Sequence, residues 1–286
     1  MDRIKELISK MTLEEKASLC SGADNWHTKE IKRLNIPSVM MVDGPHGLRK
    51  QSDKPDHLGM NVSVPATCFP PACALGSSWN REIVYKMGEA LASECRAENV
   101  AVILGPGNNI KRSPLCGRNF EYYSEDPLVA GKSGAAMVRG MQSEHIGASV
   151  KHFCCNNKET NRKDSDSRVS ERALREIYLK AFEIIVKEAD PYTIMSSYNL
   201  INGVQASENK DLLTGILRGE WDFKGMVTTD WWTHGEHYRE TKAGNDIKMA
   251  NGYEERVQEA FEKGYITRDE IALCAKRILT MILRMD

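Results

Sequence analysis

The sequence predicts an α/β fold in which parallel strands alternate with helices, and three observations support this prediction. The chain has 286 residues, of which 41% are hydrophobic, and a parallel barrel of this class occupies roughly 250 residues as one domain. Short, continuous apolar runs recur between amphipathic helical stretches, as expected of strands that are buried on both faces. Polar residues follow the ends of five of these runs. The chain is therefore predicted to form a TIM-type (β/α)8 barrel, either complete or shortened at its C-terminal end.

Capping sequences mark the starts of the predicted helices. Two capping boxes, T-L-E-E and T-R-D-E, combine a threonine with a glutamate three positions later, and an Asp-Pro pair places a capping carboxylate before a first-turn proline. Each cap precedes apolar residues at helical spacing. Two further helices are predicted around 212–217 and 253–263. The predicted capping residues are Thr12, Asn80, Asp126, Ser170 and Thr267.

The apolar runs between these helices are the predicted strands. Because they do not alternate with polar residues, both faces of each strand should be covered, as in a parallel sheet with helices packed against it. No repeat, low-complexity tract or linker interrupts the pattern, so residues 1–286 are expected to form a single domain. The predicted strands are residues 37–45, 100–107, 147–153, 192–199, 225–232 and 243–249, with 68–76 as a less well defined seventh.

Composition argues against several classes of function. Its 39 basic and 40 acidic residues leave a formal net charge of −1, so nothing favours a nucleic-acid or anionic-membrane partner. No apolar run approaches the roughly 18–20 residues of a spanning helix, and the charged N-terminal stretch MDRIKELISKMTLEEK is unlike a secretion signal. None of the eight cysteines forms a C-x-x-C pair, which favours reduced, mostly buried thiols. A soluble, cytoplasmic protein is expected.

Polar residues fall at the ends of successive predicted strands. Asp43 ends the first, Lys151-His152 the third, Tyr198-Asn199 the fourth and Asp230 the fifth, while a Gly-Pro-Gly turn ends the second. A buried strand has little structural use for a terminal carboxylate unless that carboxylate meets a partner or a ligand. Because the C-terminal ends of barrel strands open on one face, these side chains should converge on a single pocket.

Two kinds of site are compatible with this set of side chains. Aspartates at strand ends hold Mg²⁺ in some barrels, but here the lysine and arginines would compete for the same oxygens. A sugar needs carboxylate acceptors, cationic donors and an aromatic ring against its apolar face, so the set favours a sugar site. The candidate residues are Asp43, Asp230, Asp246, Lys151, His152, Arg118 or Arg112, Trp231 and Trp232.

Eight motifs, which together cover about residues 8–250, resemble the barrel domain of glycoside hydrolase family 3, close to its β-glucosidase branch. They occur in the order of that family and are specific as a set. The motifs are MTLEEKASLCSGADNWHT, VDGPHGLR, CFPPACALGSSWN, LGPGNNIKRSPLCGRNFEYYSEDP, VKHFCCNNKETNR, SERALREIYLKAFE, IMSSYNLING and TTDWW.

The resemblance implies a role for each matched position. Asp230 stands where the nucleophile of a retaining β-glucosidase stands, and Trp231 where an aromatic ring lines the sugar subsite. A nucleophilic carboxylate must be ionised, so nearby cations are expected to hold the pKa of Asp230 low. No cofactor or metal is implied. The other matched positions, which the resemblance places around the substrate, are Asp43, Arg49, Arg118, Lys151, His152, Arg162, Met195 and Tyr198.

The proton donor of a retaining glycosidase is the residue that the sequence does not supply. In most of the family this acid/base is a glutamate on a second α/β domain, which is not found in this chain, so a missing domain or a partner chain is expected to provide it. The branch that uses a His-Asp pair is not matched either, because CCNNKETN stands there. Glu159, Asp164 and Asp166 are other candidates, although an ion pair between Glu159 and Arg162 is favoured.

Three functions remain open from the sequence. The first is a catalytic barrel that hydrolyses β-linked glucosides or oligosaccharides through Asp230. The second is a barrel that binds such sugars without turning them over. The third is a Mg²⁺-dependent lyase-like barrel, which the resemblance disfavours.

Overall fold

The computed structural model describes residues 2–51 and 61–285. Five parallel strands form the main sheet in the order β1-β2-β3-β5-β8, so each strand pairs with the strand that precedes it in this sheet. A strand order that follows the chain in one direction is typical of a barrel, whereas in a doubly wound sheet the strand order reverses at a switch point. The strands are β1 (Met41–Val42), β2 (Val102–Ile103), β3 (Gly147–Phe153), β4 (Asp166–Ser167), β5 (Thr193–Ser196), β6 (Leu200–Ile201), β7 (Val204–Gln205) and β8 (Met226–Thr229).

Isolated bridges carry the pairing from β8 back to β1. The first two bridges are parallel and the last two antiparallel, so the ring is closed by short contacts and not by full strands. The predicted strand 243–249 is therefore wrong as a regular strand: it contributes bridges at Ile247 and Lys248, and beside its backbone bonds to β8 the Asp246 carboxylate accepts the Val227 amide at 2.7 Å. The bridges are Thr228–Ile247, Lys248–Ser21, Gly22–Thr28 and His27–Met40.

The two faces of the main sheet contact different parts of the core. Register places Ile194 of β5 beside Val227 of β8, and both side chains pack in the layer between the sheet and the outer helices. On the opposite face, Met195 and Met226 pack in a separate core with residues of the C-terminal helix. Since both faces are covered, the strands read as continuous apolar runs, which explains why the sequence revealed them.

The helices begin where their caps predicted. Side-chain oxygens of all five predicted capping residues accept amides of the first helical turn. π-helical segments also lie between the strands: Leu174–Tyr178 directly follows α6, and Asp211–Glu220 precedes β8. The helices are α1 (Asp2–Lys10), α2 (Leu13–Leu19), α3 (Ala72–Ser77), α4 (Arg81–Ala97), α5 (Pro127–Ser143), α6 (Glu171–Ala173), α7 (Lys180–Ala189), α8 (His237–Ala243), α9 (Glu254–Glu262) and α10 (Arg268–Leu283).

The seventh predicted strand is wrong. Residues 72–77 form helix α3, and Pro71 stands at its N-terminal cap. Proline has no amide to donate to a strand ladder and is well tolerated at the start of a helix. The apolar residues of this run therefore pack as one face of a short helix.

A second, three-stranded sheet joins two loops above the barrel. β4 pairs with β6 in parallel, and β6 pairs with β7 in an antiparallel hairpin. The loop after β3 is thereby anchored to the loop after β5. Among the residues that the structure describes, no helix combines the length and apolarity needed to cross a membrane. All eight cysteines are free, and five of them are buried.

Candidate active site

The ends of the main strands enclose an open cavity of about 270 Å³. This volume is just below the range of roughly 300–1,000 Å³ found for small-molecule sites. Asp43 follows β1 and Asp230 follows β8, and both reach the same cavity, as their positions at strand ends predicted. The lining residues are Trp26, Asp43, Arg49, Leu104, Arg118, Lys151, His152, Arg162, Met195, Asp230, Trp231 and Trp232.

Asp43 and Lys151 form an ion pair across the cavity floor. Lys151 Nζ lies 2.9 Å from Asp43 Oδ1 and 3.9 Å from Glu121 Oε2, and Arg49 approaches Asp43 Oδ2 at 3.4 Å. Burial alone would raise the pKa of Asp43, but Lys151, the Gly44 amide and Arg49 lower it to about 2. Asp43 is therefore ionised at neutral pH and can only accept hydrogen bonds from a ligand.

Asp230 has one bonded and one unpaired carboxylate oxygen. Oδ1 accepts the Trp231 amide at 2.8 Å, whereas Oδ2 has no hydrogen-bond partner among residues 2–51 and 61–285. Burial raises the pKa of Asp230 above its ordinary value, and Arg118, the Trp231 amide, Lys151 and Arg162 only partly oppose this effect. The expected low pKa is wrong for the free protein.

The cations nearest Asp230 are shared with other carboxylates. Arg118 Nε donates to Glu121, and Lys151 donates to Asp43. Since each cation already has a partner, its charge does not fully offset the desolvation of Asp230. The unpaired oxygen is available to accept hydrogen bonds from a ligand with hydroxyl donors.

His152 is held as a neutral, fully oriented imidazole. The His152 backbone N–H donates to the Asn109 side-chain oxygen, and the His152 carbonyl accepts from the Asn109 side-chain nitrogen. The Tyr122 hydroxyl lies 3.1 Å from His152 Nδ1. Burial and the charges of Arg118, Lys151 and Arg162 lower the pKa of His152 well below its usual value. If Tyr122 donates to Nδ1, the ring proton resides on Nε2, which is 3.8 Å from Asp230 Oδ2.

Three tryptophans line the cavity, and two of them, Trp26 and Trp231, pack against each other. Trp231 is 6% exposed, and its indole N–H donates to the Asn25 carbonyl at 2.7 Å. Its ring centroid lies 5.8 Å from that of Trp26, with the planes inclined by 38°. The sequence left Trp26 open between a place at the pocket border and ordinary packing, because it precedes β1 and carries no strand-end signal; the structure places it in the cavity wall.

Tyr198 supports the backbone after Asp230 and does not line the cavity. Its hydroxyl donates to the Trp231 carbonyl at 2.6 Å, and the Arg162 guanidinium lies 4.7 Å above its ring. Burial and the nearby Asp230 charge raise the pKa of Tyr198, so the phenol stays protonated. Tyr198 is not among the residues that line the cavity, and its contact with a sugar stays a prediction.

Trp232 adopts a left-handed backbone conformation, with φ of 56°. A bulky residue rarely takes this conformation, which costs on the order of 1–3 kcal/mol and persists only where surrounding contacts hold it. Lys163 Nζ donates to the Trp232 carbonyl at 3.0 Å. Sequence reasoning did not select Lys163, because a single lysine in a charged loop has no local signature.

Besides Tyr198, two further candidate residues do not line the cavity. Asp246 is fully buried, and it binds Arg218 at 2.6 Å and Arg277 at 3.1 Å. Its Oδ2 also accepts the Val227 amide, so the carboxylate is engaged beneath the sheet and not at the cavity. Arg112 is absent from the cavity wall, and Arg118 supplies the guanidinium of the second loop.

The other carboxylates near the site have their own partners. Arg162 Nη1 donates to Glu159 at 3.1 Å, which confirms the ion pair favoured from the sequence. Asp164 and Asp166 pair with His234 at 3.0 Å and Arg168 at 2.8 Å. In the part of the chain that the structure describes, Asp43 and Asp230 are thus the carboxylates that line the cavity. No group of three or more potential metal ligands is arranged around an ion site in these described residues.

Comparison with known proteins gives consistent matches over nearly the whole chain. The family described as "Glycosyl hydrolase family 3 N terminal domain" matches residues 7–281. "Thermostable beta-glucosidase B" of Acetivibrio thermocellus is 49% identical over 282 residues, which are 98% of this chain and 37% of that protein. "Exo-alpha-(1->6)-L-arabinopyranosidase" of Bifidobacterium longum is 50% identical over 277 residues, which are 96% of this chain and 37% of that protein.

A solved structure with the same fold contains a bound sugar. "Beta-glucosidase 3B from Thermotoga neapolitana in complex with alpha-D-glucose" superimposes with a TM-score of 0.93 at 39% identity, over 99% of this chain and 42% of that one. This agreement confirms the predicted (β/α)8-type barrel. The chain spans about two fifths of the length of these relatives.

Proposed function

Because the chain belongs to glycosyl hydrolase family 3, we propose that it is the nucleophile-bearing barrel of a retaining glycosidase that acts on β-glucosides. One observation carries the proposal. A buried carboxylate with an unpaired oxygen shares a cavity with an ionised acceptor, several cationic donors and an indole wall. The relative from Thermotoga neapolitana, which has the same fold, was solved with glucose bound. We further propose that residues 1–286 form one barrel domain.

Sugar binding would use the polar floor and the aromatic wall of the cavity. Ionised Asp43 accepts hydrogen bonds from ring hydroxyls, and Lys151, Arg118 and Arg162 donate them. Hydrogen bonds with a charged partner are stronger than neutral ones. Trp231 packs against the apolar face of the ring. Hydroxyl donors would also lower the free energy of ionised Asp230 once the substrate excludes water.

The chemical step follows from the carboxylate of Asp230. Its oxygen attacks the anomeric carbon while the bond between that carbon and the glycosidic oxygen breaks, and the leaving oxygen takes the electron pair and a proton. The product is a glycosyl ester on Asp230. Water then attacks the same carbon and gives one proton to the acid/base, which lost its own in the first step; the ester bond breaks, the carboxylate of Asp230 is released and the configuration is retained. Neutral His152 orients toward Asp230 without adding a positive charge.

The proton for the leaving oxygen must come from another group. A general acid needs a pKa near the working pH, whereas that of Asp43 is about 2. The remaining nearby carboxylates are engaged in ion pairs outside the cavity wall. We propose that an α/β domain or a second chain supplies the acid/base, in keeping with relatives of more than twice this length.

A trapping experiment tests the role of Asp230. The probe is 2,4-dinitrophenyl 2-deoxy-2-fluoro-β-glucoside, whose leaving group departs without protonation. Incubation with the 286-residue chain should release one dinitrophenolate per chain, and peptide mass mapping should locate the fluoroglucosyl ester on Asp230. The Asp230→Asn variant should give no adduct, although it still binds glucose. Natural glucosides should react slowly, because general acid catalysis contributes about 10²–10⁴-fold.

Two results would contradict different parts of the proposal, the external proton donor and the nucleophilic role of Asp230. Rapid hydrolysis of cellobiose by the chain alone would show that it contains its own proton donor. Glucose binding without an adduct would instead support a barrel that binds sugars without turnover. Because one relative at 50% identity is an arabinopyranosidase, the matching α-L-arabinopyranoside probe should be tested in parallel to define the preferred sugar.

A further inference from the structure

The carbonyls of Trp231 and Trp232, which follow Asp230 directly, are held by side chains from two other loops. We call residues 230–233 the nucleophile segment. Tyr198, after β5, donates to the Trp231 carbonyl at 2.6 Å, and Lys163, after β3, donates to the Trp232 carbonyl at 3.0 Å. Successive carbonyls of one short segment are thus fixed by groups distant in sequence.

The conformation of this segment decides how Asp230 is presented. Trp232 has a φ of 56°, which a tryptophan rarely adopts without external support. The preceding amide, that of Trp231, donates to Asp230 Oδ1 at 2.8 Å. If the segment relaxed at Trp232, the direction of this amide and the orientation of the carboxylate would both change.

Lys163 is well placed to hold the turn. Its side chain is half-buried, and Nζ lies 5.4 Å from the centroid of the Tyr198 ring. The loop that carries it is anchored a few residues later by the pairing of β4 with β6. The Lys163 side chain therefore reaches from its own loop, past the Tyr198 ring, to the nucleophile segment.

We propose that Lys163 is a positioning residue for Asp230: its ammonium group holds the Trp232 carbonyl and so fixes the carboxylate for attack. The inference rests on the proposed role of Asp230 as nucleophile. Lys163 does not line the cavity, so its loss should affect the rate of attack more than the affinity for the sugar.

The test compares trapping kinetics of three variants with the same fluorinated probe. Lys163→Met keeps the apolar stem and removes the donor, Lys163→Arg restores a donor, and Lys158→Met is the matched control on an exposed position of the same loop. At saturating probe, Lys163→Met should form the ester about 10-fold more slowly, since small misplacements of a reacting group are costly. Its half-saturating concentration should stay within about 2-fold of the original.

The other variants separate positioning from a general loss of structure. Lys163→Arg should recover most of the rate, and Lys158→Met should match the unmodified chain. A Lys163→Met chain that reacts at the original rate would overturn the proposal. So would a loss seen only in the half-saturating concentration, or an equal loss in Lys158→Met.

A second readout does not depend on catalysis. The five tryptophans can be labelled with 5-fluorotryptophan, and a Trp232→Phe variant assigns the signal of Trp232. The ¹⁹F signal of Trp232 should shift in Lys163→Met and remain in place in Lys158→Met. If the unmodified chain forms no ester, the proposed function fails, while this signal still tests the role of Lys163 in holding the Trp232 backbone. An unchanged signal would overturn that role.

Discussion

Replacing Asp43 with asparagine should remove a measurable part of the stability of the fold. The pKa of Asp43 is lowered to about 2 from an ordinary value of 3.8. Such a difference stabilises the folded state by roughly 2 kcal/mol at neutral pH. Because the side chain is 31% exposed, solvent screening reduces this to about 1–2 kcal/mol. At roughly 2–4 °C per kcal/mol, Asp43→Asn should lower Tm by about 2–8 °C at pH 7.

The pH dependence separates this charge effect from other consequences of the substitution. A lowered carboxyl pKa gives stability that is fully present above the unfolded value of about 3.8 and is lost as the pH falls through the folded value of about 2. The Tm difference should therefore be constant from pH 5 to 8 and should narrow below pH 4. Circular dichroism melts across this range measure it, with exposed Asp222→Asn as the control.

The same variant also reports on the cavity. Loss of a charged acceptor should weaken glucose binding by roughly 10–150-fold, equivalent to about 1.5–3 kcal/mol, as measured by calorimetry. An unchanged Tm at pH 7, or a difference that persists undiminished at pH 3, would refute the ion-pair reasoning. Unchanged glucose affinity would remove Asp43 from the binding site.

Two other substitutions should alter stability in opposite directions. Because burial raises the pKa of Asp230, its ionised form opposes folding, so Asp230→Asn should have a higher Tm than the unmodified chain at pH 7. The difference in Tm between Asp230→Asn and the unmodified chain should be absent below pH 4 and should increase as the pH rises above 4. A lower Tm of Asp230→Asn at neutral pH would contradict the raised pKa of Asp230. Asp246→Asn removes a fully buried partner of Arg218 and should cost about 3–5 kcal/mol in urea unfolding. Glucose affinity of the folded fraction should not change, since Asp246 does not line the cavity; a large loss of affinity would place it in the site after all.

The sequence by itself determined the fold class, the helix starts and the convergence of the strand ends. These features are local, because a cap needs only the next three residues and a buried parallel strand shows itself as a continuous apolar run. Asp43 and Asp230 could be assigned to one face because barrel geometry brings every strand end there, whatever the separation along the chain. The motifs added the family, and with it the expected roles of the site residues.

Only the tertiary structure decided which of the polar residues meet one another. Asp43 and Asp246 look equivalent in sequence, yet one binds Lys151 at the cavity and the other is neutralised by Arg218 beneath the sheet. The direction of the Asp230 pKa likewise depends on the balance between desolvation and cations that other carboxylates already share. Lys163 reaches the nucleophile segment through a contact between residues 69 positions apart. Each of these outcomes depends on distances between remote side chains, which periodicity and capping along the chain do not specify.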